Sequence, residues 1–212
     1  MNNPAIIPLL VKWIQRALFG GAAVLLTWCG YALLDSWSFQ RSENLRFQEI
    51  RSMQNSVAAE VRPVVLPALP RPGKMAPDIA DVIGRLEVER LGLLVMVAEG
   101  TSDATLRHAA GHIAGTALPG QAGNIGISAH RDTFFRPLRN IERDDIISLT
   151  TPLGDYRYRV LGTSVVSPSD VSVLEQGDDE ILTLVTCYPF YFVGPAPRRF
   201  VVRAEKIPSV TN

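Results

Sequence analysis

The 212-residue chain predicts an all-β domain with few short helices, preceded by a transmembrane helix and a helical stalk. Three observations carry that reading. An uncharged apolar run lies near the N-terminus, prolines crowd a short stretch after it, and beyond them short apolar or alternating runs recur between Gly, Pro, Asn and Asp.

The apolar run is Ala17 to Leu34, 18 residues without a charge, which is near the minimum for crossing a bilayer as a helix. Lys12 and Arg16 precede it and Asp35 follows it, so the positive-inside rule keeps residues 1–16 cytoplasmic and exports the chain beyond Asp35. A cleaved signal peptide fits less well, because no small-x-small cleavage site is evident, and a buried core helix less well again. Trp28, Tyr31 and Trp37 suit an interfacial belt at the outer end. In residues 35–61, Phe47, Ile50, Met53 and Val57 fall at helical spacing and Arg46 lies three residues from both Glu43 and Glu49, which predicts a helical stalk. Pro63, Pro67, Pro70, Pro72 and Pro77 prevent both helix and sheet, so residues 62–78 read as an extended linker.

Residues 79–208 then read as one folded domain, with 209–212 as a tail. Strands are predicted over Ile83 to Val88, Leu93 to Val97, Asn124 to Ala129, Ile146 to Thr150, Tyr156 to Val166, Ile181 to Thr186 and Phe200 to Ala204. Asp103 to Ala110 and Thr133 to Asn140 are the helix candidates, and Gly120 to Asn124 has the composition of a turn. Periodicity fits a small closed barrel or a sandwich and does not separate them.

Composition removes several function classes. Twenty-one basic and 21 acidic residues leave no electrostatic footprint for nucleic acid. No ligand pair at zinc-like spacing and no calcium-like acidic loop is visible, so neither a metal nor another cofactor is expected. Of the two cysteines, Cys29 lies in the apolar run and Cys187 ends a strand-like run, which argues against a disulfide and leaves a free thiol to explain.

That thiol closes Thr183-Leu184-Val185-Thr186-Cys187, followed by Tyr188-Pro189-Phe190. His130 sits in Ile127-Ser128-Ala129-His130-Arg131-Asp132, and Arg198 and Arg199 open the last strand. A thiol, an imidazole and a guanidinium supply a nucleophile, an acid/base and an oxyanion stabiliser. An ordinary thiol is mostly protonated at neutral pH, so reaction needs neighbouring positive charge or an imidazole to supply thiolate.

These three motifs, in this order across Ile83 to Ile207, resemble the sortases, and most closely the class D-like members. The resemblance implies an eight-stranded sortase barrel and a cysteine transpeptidase with Cys187 as nucleophile, His130 as acid and base, and Arg199 as oxyanion or substrate donor. Strand alternation lets only one of the arginine pair face the thiol, and Arg199, directly before the apolar run, fits the family pattern better than Arg198. His112, Thr186, Tyr188 and Phe134 are expected at the substrate, with Phe135, Phe190, Tyr191 and Phe192 as further candidates for the groove wall. Asp132 could orient an arginine or the His130 loop. The implied substrate is an exported protein with a C-terminal LPxTG- or LPxTA-like sorting signal, and the implied acceptor is an amine of the cell envelope or of another protein. The implied location is the cytoplasmic membrane, crossed once, with the catalytic domain outside. A thiol hydrolase using water, and a catalytically silent membrane-tethered assembly module, are the alternatives.

Overall fold

A computed structural model describes residues 6–58, 81–191 and 194–208. The linker at 62–78, Phe192 and the tail at 209–212 lie outside the described residues. The chain divides into two compact units, Met1–Phe39 and Gln40–Asn212. The apolar run and the stalk belong to one continuous helix, α1 (Ile6–Ala58), because no proline or glycine pair breaks it after the apolar run. Among the described residues no helix is long and apolar enough to cross a membrane. Within the first unit, Leu18, Phe19, Val24, Leu25, Leu26, Trp28 and Tyr31 are all exposed.

In the second unit the strands close into a barrel. They are β1 (Val82–Val88), β2 (Leu93–Glu99), β3 (Ala110–His112), β4 (Gly123–Ser128), β5 (Ile146–Thr151), β6 (Gly154–Val166), β7 (Glu180–Tyr188) and β8 (Arg198–Lys206). Their order around the barrel is β1-β2-β3-β4-β7-β8-β6-β5, with β2/β3 and β4/β7 parallel and the other pairs antiparallel. Closure settles the choice between barrel and sandwich and leaves no free edge.

Alternation decides the core. Leu86 pairs with Val95 and Leu149, Ile127 with Leu184, and Leu184 with Val202, and every one of these side chains is buried in a single cluster. The intervening residues face outward, as the exposed Arg157, Arg159 and Arg203 show. Seven of the strands are legible from alternation or from a short apolar run. β3 is not, because Ala110, Gly111 and His112 are too few to form either. Gly111 within it has no room for a side chain, since a Cβ there would lie 2.3 Å from the Gly100 carbonyl oxygen. The helix candidate at Asp103 ends at His108 as α2 (Asp103–His108), capped by the Ser102 hydroxyl, and the candidate at Thr133 contracts to a 3-10 turn over Arg136–Asn140.

From Gln40 onward α1 belongs to the second unit and docks on the outer face of β1 and β2. Gln40 accepts from the Met96 amide at 2.9 Å and donates to the His108 carbonyl at 2.6 Å, so one side-chain amide bridges β2 and the chain just before the short β3. Asn44 accepts from Arg85 at 3.0 Å, and Phe47 is 5% exposed. Of the expected stalk stripe, Phe47 is thus the residue seen to bury its side chain on the domain. In the barrel order, β1 and β2 lie opposite β7 and β8, so this part of the helix docks on the side of the barrel away from Cys187.

On the same domain Arg90 grips Asp145 through two of its nitrogens and donates to the Asn140 carbonyl at 2.7 Å, tying down the far end of the segment that follows His130. The Arg90 hydrogen bond holds the Asp145 carboxyl below its ordinary value, assisted by the Glu142 amide and opposed by burial. A depressed native value means stability that is present above the unfolded carboxylate range, about pH 4, and is lost as pH falls through the native value. Asp145→Asn is therefore expected to lower the melting temperature at pH 7, with the gap to wild type closing below about pH 4. A gap that stays constant down to about pH 2 would contradict this.

Candidate active site

Three strands deliver the three motifs to one end of the barrel. Leu182 and Leu184 of β7 face the core, so Thr183, Val185 and Cys187 face outward by alternation. Cys187 is half-buried and free of disulfide. Its cross-strand partner on β8 is Arg199, while Tyr188 is opposite Arg198. Directly opposed residues project to the same side of a sheet, so Arg199 shares the outer face with the thiol and Arg198 does not. The Arg199 guanidinium donates to the carbonyls of Ala196 at 3.4 Å and Arg198 at 3.1 Å.

His130 arrives from the other neighbour of β7. The parallel register of β4 with β7 runs to Ser128↔Val185. Carried two residues further, it sets His130 beside Cys187. The strands stay together over that distance, because the Ala129 amide donates to Val185 O at 3.3 Å and the Thr186 hydroxyl donates to Ala129 O at 2.7 Å. Past His130 the chain turns back, with the Phe135 amide on the His130 carbonyl at 3.1 Å and the Phe135 ring fully buried in the core. The imidazole thus stands on a backbone fixed from both sides.

Several residues expected at the substrate have partners within the protein. Thr186 is 2% exposed and its hydroxyl is spent on Ala129. His112 is also 2% exposed, with Nδ1 2.9 Å from Glu99 Oε2 and Nε2 3.0 Å from both Ala117 O and Thr116 Oγ1. Both ring nitrogens are committed, which ties β3 to the loop that enters β4. Phe135 belongs to the core, and Phe134 is half-buried against it. Tyr188 joins Phe190 and Phe200 in an aromatic cluster at the barrel mouth, with centroids 5.2 to 6.3 Å apart. Tyr191 and Asp132 are exposed. Among the described residues no cluster of His, Cys, Asp and Glu is placed to hold a metal ion.

The Sortase domain family model matches residues 86–207, more than half of the chain. The chain belongs to the sortase family. Sortase D of Bacillus subtilis is 33% identical over 132 residues, covering 62% of this chain and 67% of that protein. Sortase A of Bacillus anthracis is 21% identical over 206 residues, 91% of this chain and 96% of that one. Among solved structures, a sortase D transpeptidase of Clostridium perfringens superposes with a TM-score of 0.63 at 26% identity, covering 81% of this chain and 99% of that one. Sortase C of Clostridium perfringens, solved with the C-terminal cell wall sorting motif, gives 0.56 at 28% identity and covers 65% and 76% of the two chains. The sortase barrel is thus the fold of this chain, and sortases are cysteine transpeptidases.

Proposed function

We propose that this sortase is a membrane-anchored transpeptidase that cleaves exported proteins at a C-terminal LPxTG- or LPxTA-like sorting signal and joins the new carboxyl end to an amine. The observation that carries the reading is the shared outer face of Cys187 and Arg199, with the β4 register bringing His130 alongside. The Cys187 thiolate attacks the carbonyl carbon of the signal's Thr, and a guanidinium from Arg199 offsets charge on the tetrahedral oxygen. The C–N bond breaks as His130 gives its proton to the leaving amine, leaving a thioacyl enzyme. An incoming amine, deprotonated by His130, displaces the thiol and forms the new amide. The test is intact mass of the full chain after mixing with a signal peptide. A Cys187 acyl adduct that an added amine converts to a ligated peptide is expected, and water as the sole acceptor would favour a hydrolase.

The anchor in this reading is the run from Ala17 to Leu34, carried by its uncharged sequence and not by the apolarity of the described helix. Successive side chains on a helix turn by about 100° per residue, so Val24, Leu25, Leu26 and Trp28 point in several directions. All four are exposed, a pattern that suits lipid better than water. The flanking Lys12 and Arg16 favour a cytoplasmic N-terminus in the cytoplasmic membrane, with the barrel outside. A reporter active only outside the cytoplasm should therefore work after Asn212 and fail before Met1. Release of a soluble domain lacking residues 1–36 would reject the anchor.

A further inference from the structure

We propose that Arg131 is a positioning residue of this transpeptidase, tying the His130 strand end to both arms of the loop that joins the strands carrying Cys187 and Arg199; the proposal rests on the function given above. Arg131 follows His130 directly in the chain. Its Nη1 donates to the Pro189 carbonyl at 3.0 Å and its Nη2 to the Gly194 carbonyl at 3.0 Å. Pro189 lies two residues beyond Cys187, and Gly194 lies on the arm that returns to Arg199. One planar fork therefore spans the outgoing and returning arms of the β7–β8 connection. Gly194 has φ +111°, a conformation a side chain would resist, so the carbonyl that Arg131 receives depends on glycine at that position.

The tie bears on the chemistry through Arg199. That guanidinium rests on carbonyls of the same connection, Ala196 and Arg198, so the position of the loop sets where it starts from when an oxyanion forms. Another contact between the segment after His130 and this loop is the Arg139 guanidinium, 5.5 Å from the Tyr191 ring. Tyr191 is 75% exposed, and an exposed cation–π contact is weak. Arg131 makes the stronger connection, by charge-assisted bonds of fixed geometry. Lysine at this position keeps the charge, but its point-like ammonium does not reproduce a fork matched to two carbonyls.

The experiment compares full-length wild type, Arg131→Lys, Arg199→Ala and the double variant, reading Cys187 acylation by a signal peptide through intact mass. Misplacing a reacting group by about 1 Å costs up to roughly 10²-fold. Arg131→Lys is accordingly expected to slow acylation about tenfold at saturating peptide, with KM changed less than about threefold and the melting temperature unchanged. Because Arg131 acts through the loop that holds Arg199, the double variant should be little slower than Arg199→Ala alone. Additive losses, or a loss that merely tracks a lowered melting temperature, would overturn the proposal. Iodoacetamide labelling of Cys187 needs no peptide and separates this idea from the function it rests on. A labelling rate that changes in Arg131→Lys while no signal peptide is turned over keeps the tie and rejects the substrate. Equal labelling and equal acylation in wild type and Arg131→Lys reject the tie.

Discussion

Cys187→Ala is expected to abolish both cleavage of a signal peptide and transfer to an amine, while the barrel stays folded. The chemical loss is total because in the proposed mechanism the sulfur forms the covalent bond to the substrate, and the other cysteine, Cys29, lies in the apolar run far along the chain from the barrel. The structural loss is small, since the side chain is half-buried on the outer face and outside the core cluster, where substitutions usually shift stability by only about 0.5 kcal/mol. Peptide turnover measured with melting temperature on the same sample separates the two effects. Residual turnover within about tenfold of wild type would remove Cys187 from the mechanism, since loss of a covalent nucleophile costs far more than that.

Arg199→Ala is expected to lower the acylation rate by about 10²-fold or more, the scale for losing an oxyanion donor, with Arg198→Ala nearly silent. The difference follows from pairing. Arg199 is opposite Cys187 and shares its face, whereas Arg198 is opposite Tyr188, which packs on Phe200 at the barrel mouth. Arg199 rests on the Ala196 and Arg198 carbonyls, so it must exchange those contacts for the developing oxyanion. Arg199→Lys should recover little, because a lysine lacks the planar fork. Single-turnover acylation of the three variants, read by intact mass, decides it; a severe defect confined to Arg198→Ala would reassign the donor by one residue.

The strands are legible either as short apolar runs, as in β4 and β7, or where half-buried sheet writes its burial into the sequence with a period of two. Tyr156 to Val160 shows this alternation, and the inward Tyr158 and Val160 are fully buried. The two helical segments expected from Ala17 and from Asp35 merge into α1 because a change from apolar to polar composition does not interrupt helical hydrogen bonding. β3 escapes because its three residues, Ala110, Gly111 and His112, are too few to set a period or an apolar run, and its position depends on a close approach to Gly100 that no local pattern records.

By itself the sequence nominated the residues proposed to carry the chemistry, since thiol, imidazole and guanidinium lie in recognisable surroundings around Cys187, His130 and Arg199. Tertiary structure alone decided how they are held. Barrel closure makes β4 and β8 the two neighbours of β7, and pairing between strands far apart in the chain then selects Arg199 over Arg198 as the residue opposite the thiol. Thr186 and His112 illustrate the same division, because each lies in a motif that points to substrate yet spends its polar atoms within the protein. Such bonds join a side chain to a backbone carbonyl or a distant carboxylate, and a partner of that kind leaves no periodicity or spacing in the sequence to reveal it.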